Sequence, residues 1–186
     1  MSRDFITAII DMQKVASTDP IRFFITGVCL DSQKGMLRMR STNGHAMAER
    51  LMPMPDGLDI PNTFIVDPES LKLVMPIYRA AKKLPLQCSF KDGRIVISCP
   101  ALNQSAMLTA INGPYPDTDK VKPKESDMKH RIALNADLLA SLCDALRVSP
   151  HDKLAIIDMD TSNPLAPIRV TVSGNAGVIM PMRIAK

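Results

Sequence analysis

A chain of 186 residues, 46% hydrophobic and 23% charged, is long enough to bury one ordinary core or two small ones, and it lacks the composition of a disordered polymer. No apolar run approaches the roughly 20 residues that span a bilayer, and Asp4 stands where a secretion signal has its basic start, so a cytoplasmic protein is expected. A net charge of +4 suits a nucleic-acid partner without identifying one, while five phenylalanines, two tyrosines and no tryptophan argue against stacking single-stranded bases on aromatic platforms.

In chain order, the apolar spacing predicts one module three times: a helix, then two or three short strands closed by turns. The first helix is expected over residues 4–16, with Phe5, Ile6, Ile9, Ile10 and Met12 as its stripe. Strands follow at 22–31 and 37–41, split by the Asp-Ser-Gln-Lys-Gly turn, and at 45–52. The second unit opens with a strand at 62–66. Asp67 or Ser70 then caps a helix running to about residue 83, with Pro68 in its first turn and Pro76 expected to kink or restart it. Strands at 86–90 and 94–99 are joined by Lys91-Asp92-Gly93, a hairpin signal, and another strand covers 105–111. Residues 112–127 are rich in turn formers and charge and read as the main linker. The third unit has a strand at 130–134, an Asn135-capped helix at 136–147 with Leu138, Leu139, Leu142 and Leu146 on one side, and strands at 153–159, 168–173 and 177–184. Units therefore divide near residues 61 and 127. A lone unit cannot bury its sheet face, so the pattern predicts an α+β fold with helices on one face of shared antiparallel sheets.

Little in the chain has the pattern of a catalytic centre. Cys29, Cys88, Cys99 and Cys143 sit in apolar stretches without CxxC spacing and are expected as buried free thiols. His45, His130 and His151 are too scattered for a zinc site. Asp158 and Asp160 form a DxD pair with no third ligand or general base nearby, and neither a nucleophile elbow nor a phosphate loop is present, so no metal, cofactor or enzymatic activity is expected.

Three segments carry a resemblance to a known family, the bacterial sliding clamp or beta subunit of DNA polymerase III. Arg22-Phe23-Phe24-Ile25-Thr26-Gly27, followed by Leu37-Arg38-Met39-Arg40-Ser41-Thr42-Asn43-Gly44-His45-Ala46, resembles the family's RYYLNG segment and TDGHRLA turn at matching separation. Gly113-Pro114-Tyr115-Pro116-Asp117, with Val121 shortly after, is similar to the GRFPDYRRV junction between middle and last domains. The 178–184 segment, Val-Ile-Met-Pro-Met-Arg-Ile, is similar to the terminal VVMPMRL. The resemblance implies a DNA-clamp fold in which 1–121 corresponds to the middle domain, as modules 1–61 and 62–121. Residues 122–127 form a linker, and 128–186 correspond to the second half of the last domain.

In that family the turn and the tail form an apolar pocket for short partner peptides with a glutamine and leucine or phenylalanine anchors. Carried over by position, the implied pocket is Ile25, Thr42, Gly44, His45, Met47, Pro116, Val121, Asn135, Leu138, Val178, Met180, Pro181 and Met182. Adaptable methionines suit several ligands. Asn43, Ala46, Met47 and Leu138 depart from the family's aspartate, arginine, leucine and tyrosine, which implies a more apolar, less charged pocket. Contact with duplex DNA is expected to be electrostatic and sequence-independent, through Lys14, Arg22, Lys72, Arg79, Lys82, Lys83 and Arg147. Phe23 and Phe24 stand where the family has tyrosines near the DNA path, while Asp67, Pro68 and Glu69 replace family basic residues.

The resemblance implies DNA polymerase, clamp loader and other clamp-motif proteins as partners. The family's ring contains twelve modules and this chain contains three, which implies a homo-oligomer, a head-to-tail tetramer. In it, module three would complete a domain with module one of its neighbour. The alternative is a clamp mimic that never encircles DNA and instead regulates or competes with a resident clamp.

Overall fold

The computed structural model describes residues 2–60, 62–123, 130–163 and 165–183. The chain divides into two units, Met1–Val121 and Lys122–Lys186.

The first unit opens with α1 (Ser2–Gln13), whose Phe5, Ile6, Ala8, Ile9 and Met12 form one buried stripe at helical spacing. The strand expected from residue 22 does not start there. Pro20–Ile25 is a 3-10 helix, because Asp19 accepts the Ile21 N–H at 2.9 Å and Pro20 presets the first turn. β1 (Val28–Gln33) begins after it and turns through Lys34 and Gly35, both at positive φ, into β2 (Met36–Thr42). β3 (Met47–Pro53) follows, and the sheet is closed by β4 (Phe64–Val66), giving the order β3-β2-β1-β4.

β4 leads into α2 (Pro68–Ala81). Asp67 caps it by accepting the N–H groups of Glu69 and Ser70 at 3.2 and 3.1 Å. Pro76 neither ends nor restarts this helix: it lies on the exposed side, where water takes the carbonyl that its missing N–H leaves free. The Asp67 carboxylate also accepts the Thr109 hydroxyl at 3.3 Å, tying the cap to the sheet. Asp67→Ala is therefore expected to cost about 1–2 kcal/mol in urea unfolding, the range of a lost N-cap.

β5 (Gln87–Lys91), β6 (Arg94–Cys99) and β7 (Gln104–Leu108) form a second sheet in sequence order. Beyond β7 the chain moves onto β4: the Ile111 N–H donates to the Ile65 carbonyl at 2.8 Å, and Val66 bridges Ala110. The two sheets are thus joined, and the helices share their face. Thr7 of α1 meets the Tyr78 hydroxyl of α2 at 2.9 Å, and the Arg3 guanidinium lies 4.8 Å from that ring's centre. One core results, running from Phe5 through Leu30, Met39, Phe64 and Val74 to Ile97 and Leu108. Cys29, Cys88 and Cys99 are buried free thiols as expected, and Cys143 is half-buried.

In the second unit Asn135 caps α3 (Ala136–Leu146) by accepting the Leu138 N–H at 3.0 Å. β8 (Ala155–Asp158), β9 (Ile168–Val172) and β10 (Asn175–Ile179) form a sheet ordered β10-β9-β8. The strand expected at 130–134 is reduced to a bridge, in which the Met182 N–H donates to the Ala133 carbonyl at 2.8 Å. β10 is shorter than expected at its far end, and residue 184 lies outside the described residues. The buried core here is Ile168, Val170, Val172 and Ile179, among the described residues. The overall fold is α+β, with helices packed on antiparallel sheets.

Candidate functional site

The turn between β2 and β3 is built by its own side chains. Asn43 accepts the N–H groups of His45 and Ala46 at 2.9 and 2.8 Å. The Thr42 hydroxyl donates to the Ala46 carbonyl at 2.7 Å and accepts the Gly44 N–H at 3.1 Å. Gly44 has φ +88, so its conformation calls for glycine; a Cβ there would meet only the end of the Arg22 side chain, 2.7 Å away, which can move aside. The Ser17 N–H is shared by the carbonyls of Ile25 and Thr42, at 3.0 and 3.1 Å. This joins the 3-10 segment to the turn. Ile25 and Thr42 are buried, Met47 is half-buried, and Gly44 and His45 are exposed. Gly113 packs against both Phe23 and Phe24, whose rings meet edge to face at 5.7 Å.

Residues 113–121 are not the free linker that their composition suggests. An ion network absent from the sequence-based expectations pins them to the sheet. Asp31 of β1 takes a two-pronged bond from Arg38, directly opposite it on β2, at 2.7 and 2.9 Å, and a further bond from Arg40. Arg38 also reaches Asp119 at 3.0 Å, and Arg40 reaches the Thr118 hydroxyl at 3.2 Å. The Tyr115 hydroxyl donates to the Arg40 carbonyl at 3.3 Å, and the Arg40 guanidinium lies over the Tyr115 ring. Burial pushes the Tyr115 phenol above its usual range and the Cys29 thiol up to about 11, so both are neutral at pH 7. The signal was in the sequence: Arg38 and Arg40, two apart, occupy one face of a strand whose other face carries Leu37 and Met39. The arm so fixed presents Pro116 and Val121, both exposed.

The remaining candidate pocket residues belong to the second unit. Asn135 and Leu138 stand at the start of α3, and the Ala133–Met182 bridge brings the tail beside that start. Leu138, Val178, Met180 and Met182 are exposed, and Pro181 is half-buried. A short, methionine-rich apolar surface results within this unit.

The candidate DNA-facing cations differ in their freedom. Lys14 is paired with Asp11 at 2.7 Å, Lys72 with Glu69 at 2.6 Å, Arg22 with Asp19 at 3.1 Å and Arg147 with Asp144 at 3.1 Å. Lys14 holds the Asp11 carboxyl below its usual range. Asp19 is held low by the Ile21 N–H and then by Arg22. Each pair is exposed and weakly held against water and salt, so a phosphate can displace the carboxylate. Arg79, Lys82 and Lys83, by contrast, are exposed without an ion-pair partner among the described residues. They cluster at the C-terminal end of α2, where the helix dipole favours positive charge. Phe23 is exposed and Phe24 half-buried.

The DxD carboxylates face other partners. Asp158 is held by the Arg169 guanidinium at 2.9 and 3.0 Å, and Asp160 accepts the Ser162 N–H and hydroxyl at 2.8 and 2.6 Å. No group of three or more metal-ligating side chains occurs among the described residues, and no helix among them is long and apolar enough to cross a membrane.

No family model matches the sequence. A curated relative, the beta sliding clamp of Lactococcus lactis subsp. lactis (strain IL1403), is 24% identical over 163 residues, covering 87% of this chain and 39% of that protein. The DNA polymerase sliding clamp of Caulobacter crescentus superimposes with a TM-score of 0.73 at 19% identity, over 98% of this chain and 49% of its own. That of Bacillus subtilis gives 0.69 at 17% identity, over 96% and 47%. The DNA polymerase III beta chain of Streptococcus pneumoniae TIGR4 gives 0.73 at 17% identity, over 97% and 48%. The chain thus spans less than half the length of each of these relatives, and nearly all of it is covered by the match.

Proposed function

From a chain that has the DNA-clamp fold and resembles bacterial beta sliding clamps over about half their length, we propose a non-catalytic DNA sliding clamp, a processivity factor that encircles duplex DNA as a homo-oligomeric ring. The observation that supports this reading most is the agreement of sequence and fold with DNA sliding clamps across nearly the whole chain. Each chain brings three modules, so four chains supply the twelve of a full ring, and a tetramer is the assembly we favour. The ring holds DNA through loose phosphate contacts from Arg79, Lys82 and Lys83, joined by Lys14, Arg22, Lys72 and Arg147 as their exposed ion pairs exchange for phosphate. Such contacts carry no base readout, as sliding demands. Phe23 and Phe24 lie along the same path.

Polymerase, clamp loader and other clamp-motif proteins attach through apolar surfaces that each unit presents by itself. Ile25, Thr42, Gly44, His45, Met47, Pro116 and Val121 contribute from the first unit. Asn135, Leu138, Val178, Met180, Pro181 and Met182 contribute from the second. The domain assignment follows the same correspondence, with 1–121 as the middle domain and 128–186 as half of the last.

Nicked circular DNA tests the ring. Protein loaded on the circle is expected to survive a high-salt wash and to be lost when the circle is cut, because only a topological link slips off an end. Equal, salt-sensitive retention on circular and linear DNA would overturn the ring. That outcome would favour the second reading, a clamp mimic that regulates or competes with a resident clamp. Asp67 and Glu69, which stand where the family has basic residues, favour this mimic, since they place negative charge at the start of α2.

A further inference from the structure

The first unit shows how this module completes itself. It contains two modules, α1-β1-β2-β3 and α2-β5-β6-β7. The segment leading into α2 is β4, and it does not pair with its own module's first strand. It crosses to β1 of the other module, with Val28 opposite Val66, Cys29 opposite Ile65 and Leu30 opposite Phe64. All six residues are buried as a result.

The second unit is the same module without its counterpart. α3 is followed by three antiparallel strands, as α2 is, and the bridge Ala133–Met182 repeats Val66–Ala110: each joins the leading segment to the chain just past the third strand. β8 is the strand equivalent to β1 in module one and to β5 in module two, and nothing covers it among the described residues; β5 is likewise a sheet edge but keeps Cys88 buried, whereas β8 buries no residue. β8 is a sheet edge, paired with β9 alone, and every one of its residues is exposed. Ile156 is 49% exposed and Ile157 44%, with Leu154 beside them at 73%, whereas Val28, Cys29 and Leu30 of β1 are all at 0%. No residue of α3 is fully buried, though α1 and α2 each bury several.

We infer that two copies of the chain complete each other here, the leading segment 130–134 of each lying antiparallel on β8 of the other. The occupant follows from what each surface offers. In module one of another chain, the partner expected from the sequence, the strand equivalent to β8 has both sides filled: β1 has β2 on one side and β4 on the other, which leaves β3 as that module's open edge. A second copy of this unit carries both missing pieces, a free strand edge and an uncommitted leading segment with Ile132 and Leu134 half-buried. A two-fold pairing satisfies both at once, and it leaves other sheet edges, β3 and β10 among them, for the further contacts a ring needs. The contact deepens the oligomeric part of the proposed function and rests on that reading for its place in a ring.

Sedimentation of the full chain tests it. The parent protein is expected to assemble in even numbers of chains at micromolar concentration, and the Leu154→Glu/Ile156→Glu variant to halve that mass. Both side chains are exposed within the unit, so the substitutions leave its own core intact. As a second measurement, hydrogen exchange of the 155–158 amides in the parent is expected to slow at least tenfold as concentration rises through assembly. A parent that stays a single chain, an assembled mass indifferent to the substitutions, or exchange indifferent to concentration overturns the inference. The ring is scored separately on nicked circular DNA. Halved mass in the variant with no retention of the parent keeps this contact and removes the ring. Retention of the parent with a mass indifferent to the substitutions keeps the ring and removes the contact.

Discussion

An Asp31→Ala chain is expected to lose about 3–5 kcal/mol of folding free energy, the cost of removing one partner from a buried ionic cluster. Asp31 is the anion shared by Arg38 and Arg40, and the side chains of all three are mostly shielded from water. Its removal leaves Arg40 facing a thiol, a hydroxyl and an aromatic ring, none of which is charged at neutral pH. Urea unfolding reads the loss directly: at a slope of about 1–3 kcal/mol per molar, the midpoint falls by 1 M or more. Asp31→Leu combined with Arg38→Met and Arg40→Met is expected to recover most of the stability, because apolar replacement of a whole buried cluster is close to neutral. A stability loss below about 0.5 kcal/mol for Asp31→Ala would place the cluster with ordinary surface pairs.

The same cluster has a signature in alkali. The Tyr115 phenol is raised by burial, so its contribution to stability is complete below pH 10 and is lost as pH rises beyond that. Cys29, raised from 9.0 to about 11, adds a loss of the same sign between those values. Asp31→Ala is expected to free the arm and let Tyr115 ionise near its ordinary value, seen as an ultraviolet phenolate band in a Tyr78→Phe background.

The Met180→Ala/Met182→Ala chain is expected to bind a clamp-motif peptide about 100-fold more weakly, with unchanged melting. At about 1.4 kcal/mol per tenfold, this is a loss of about 2.8 kcal/mol, the size of one strong interface anchor. The two side chains are 59% and 52% exposed, so they add little to the unit's own core, and the Met182 backbone bridge to Ala133 survives the substitution. Fluorescence anisotropy with a labelled peptide bearing a glutamine and a leucine or phenylalanine anchor measures the affinity. An unchanged affinity would remove the tail from the pocket.

Where local chemistry decides an element, the sequence was a sufficient guide. Asp67 and Asn135 cap their helices as their positions predict, and Lys91-Asp92-Gly93 closes its hairpin. Where a partner elsewhere in the chain decides, it was not. Residues 22–25 carry strand-forming Phe and Ile, yet the Asp19 carboxylate and Pro20 wind them into a 3-10 helix. Residues 113–121 look like a linker by composition, because the arginines that fix them lie 75 or more positions away. The strand expected at 130–134 has the residues but, among the described residues, only a single bridge to pair with. The turn at 42–46 was legible as a turn, since Thr, Asn and Gly each supply a bond or a conformation that it needs. The unequal engagement of the cations was legible as well, since Lys14, Arg22, Lys72 and Arg147 each have a carboxylate three positions earlier and Arg79, Lys82 and Lys83 have none there.

The disparity between the two cores sets a timetable for the chain. The first unit holds a full apolar interior and can acquire its shape alone, in a first-order step. The second, among the described residues, keeps Ile168, Val170, Val172 and Ile179 from water, so under the inferred pairing its native form would be held by mass action, gaining stability with the logarithm of the partner concentration. Under that pairing, an unassembled copy would be open to proteases at its far end while its near end resists them, and the assembled copy would resist throughout. Abundance would then correct itself: surplus single chains would be cleared, and those that had found one another would persist.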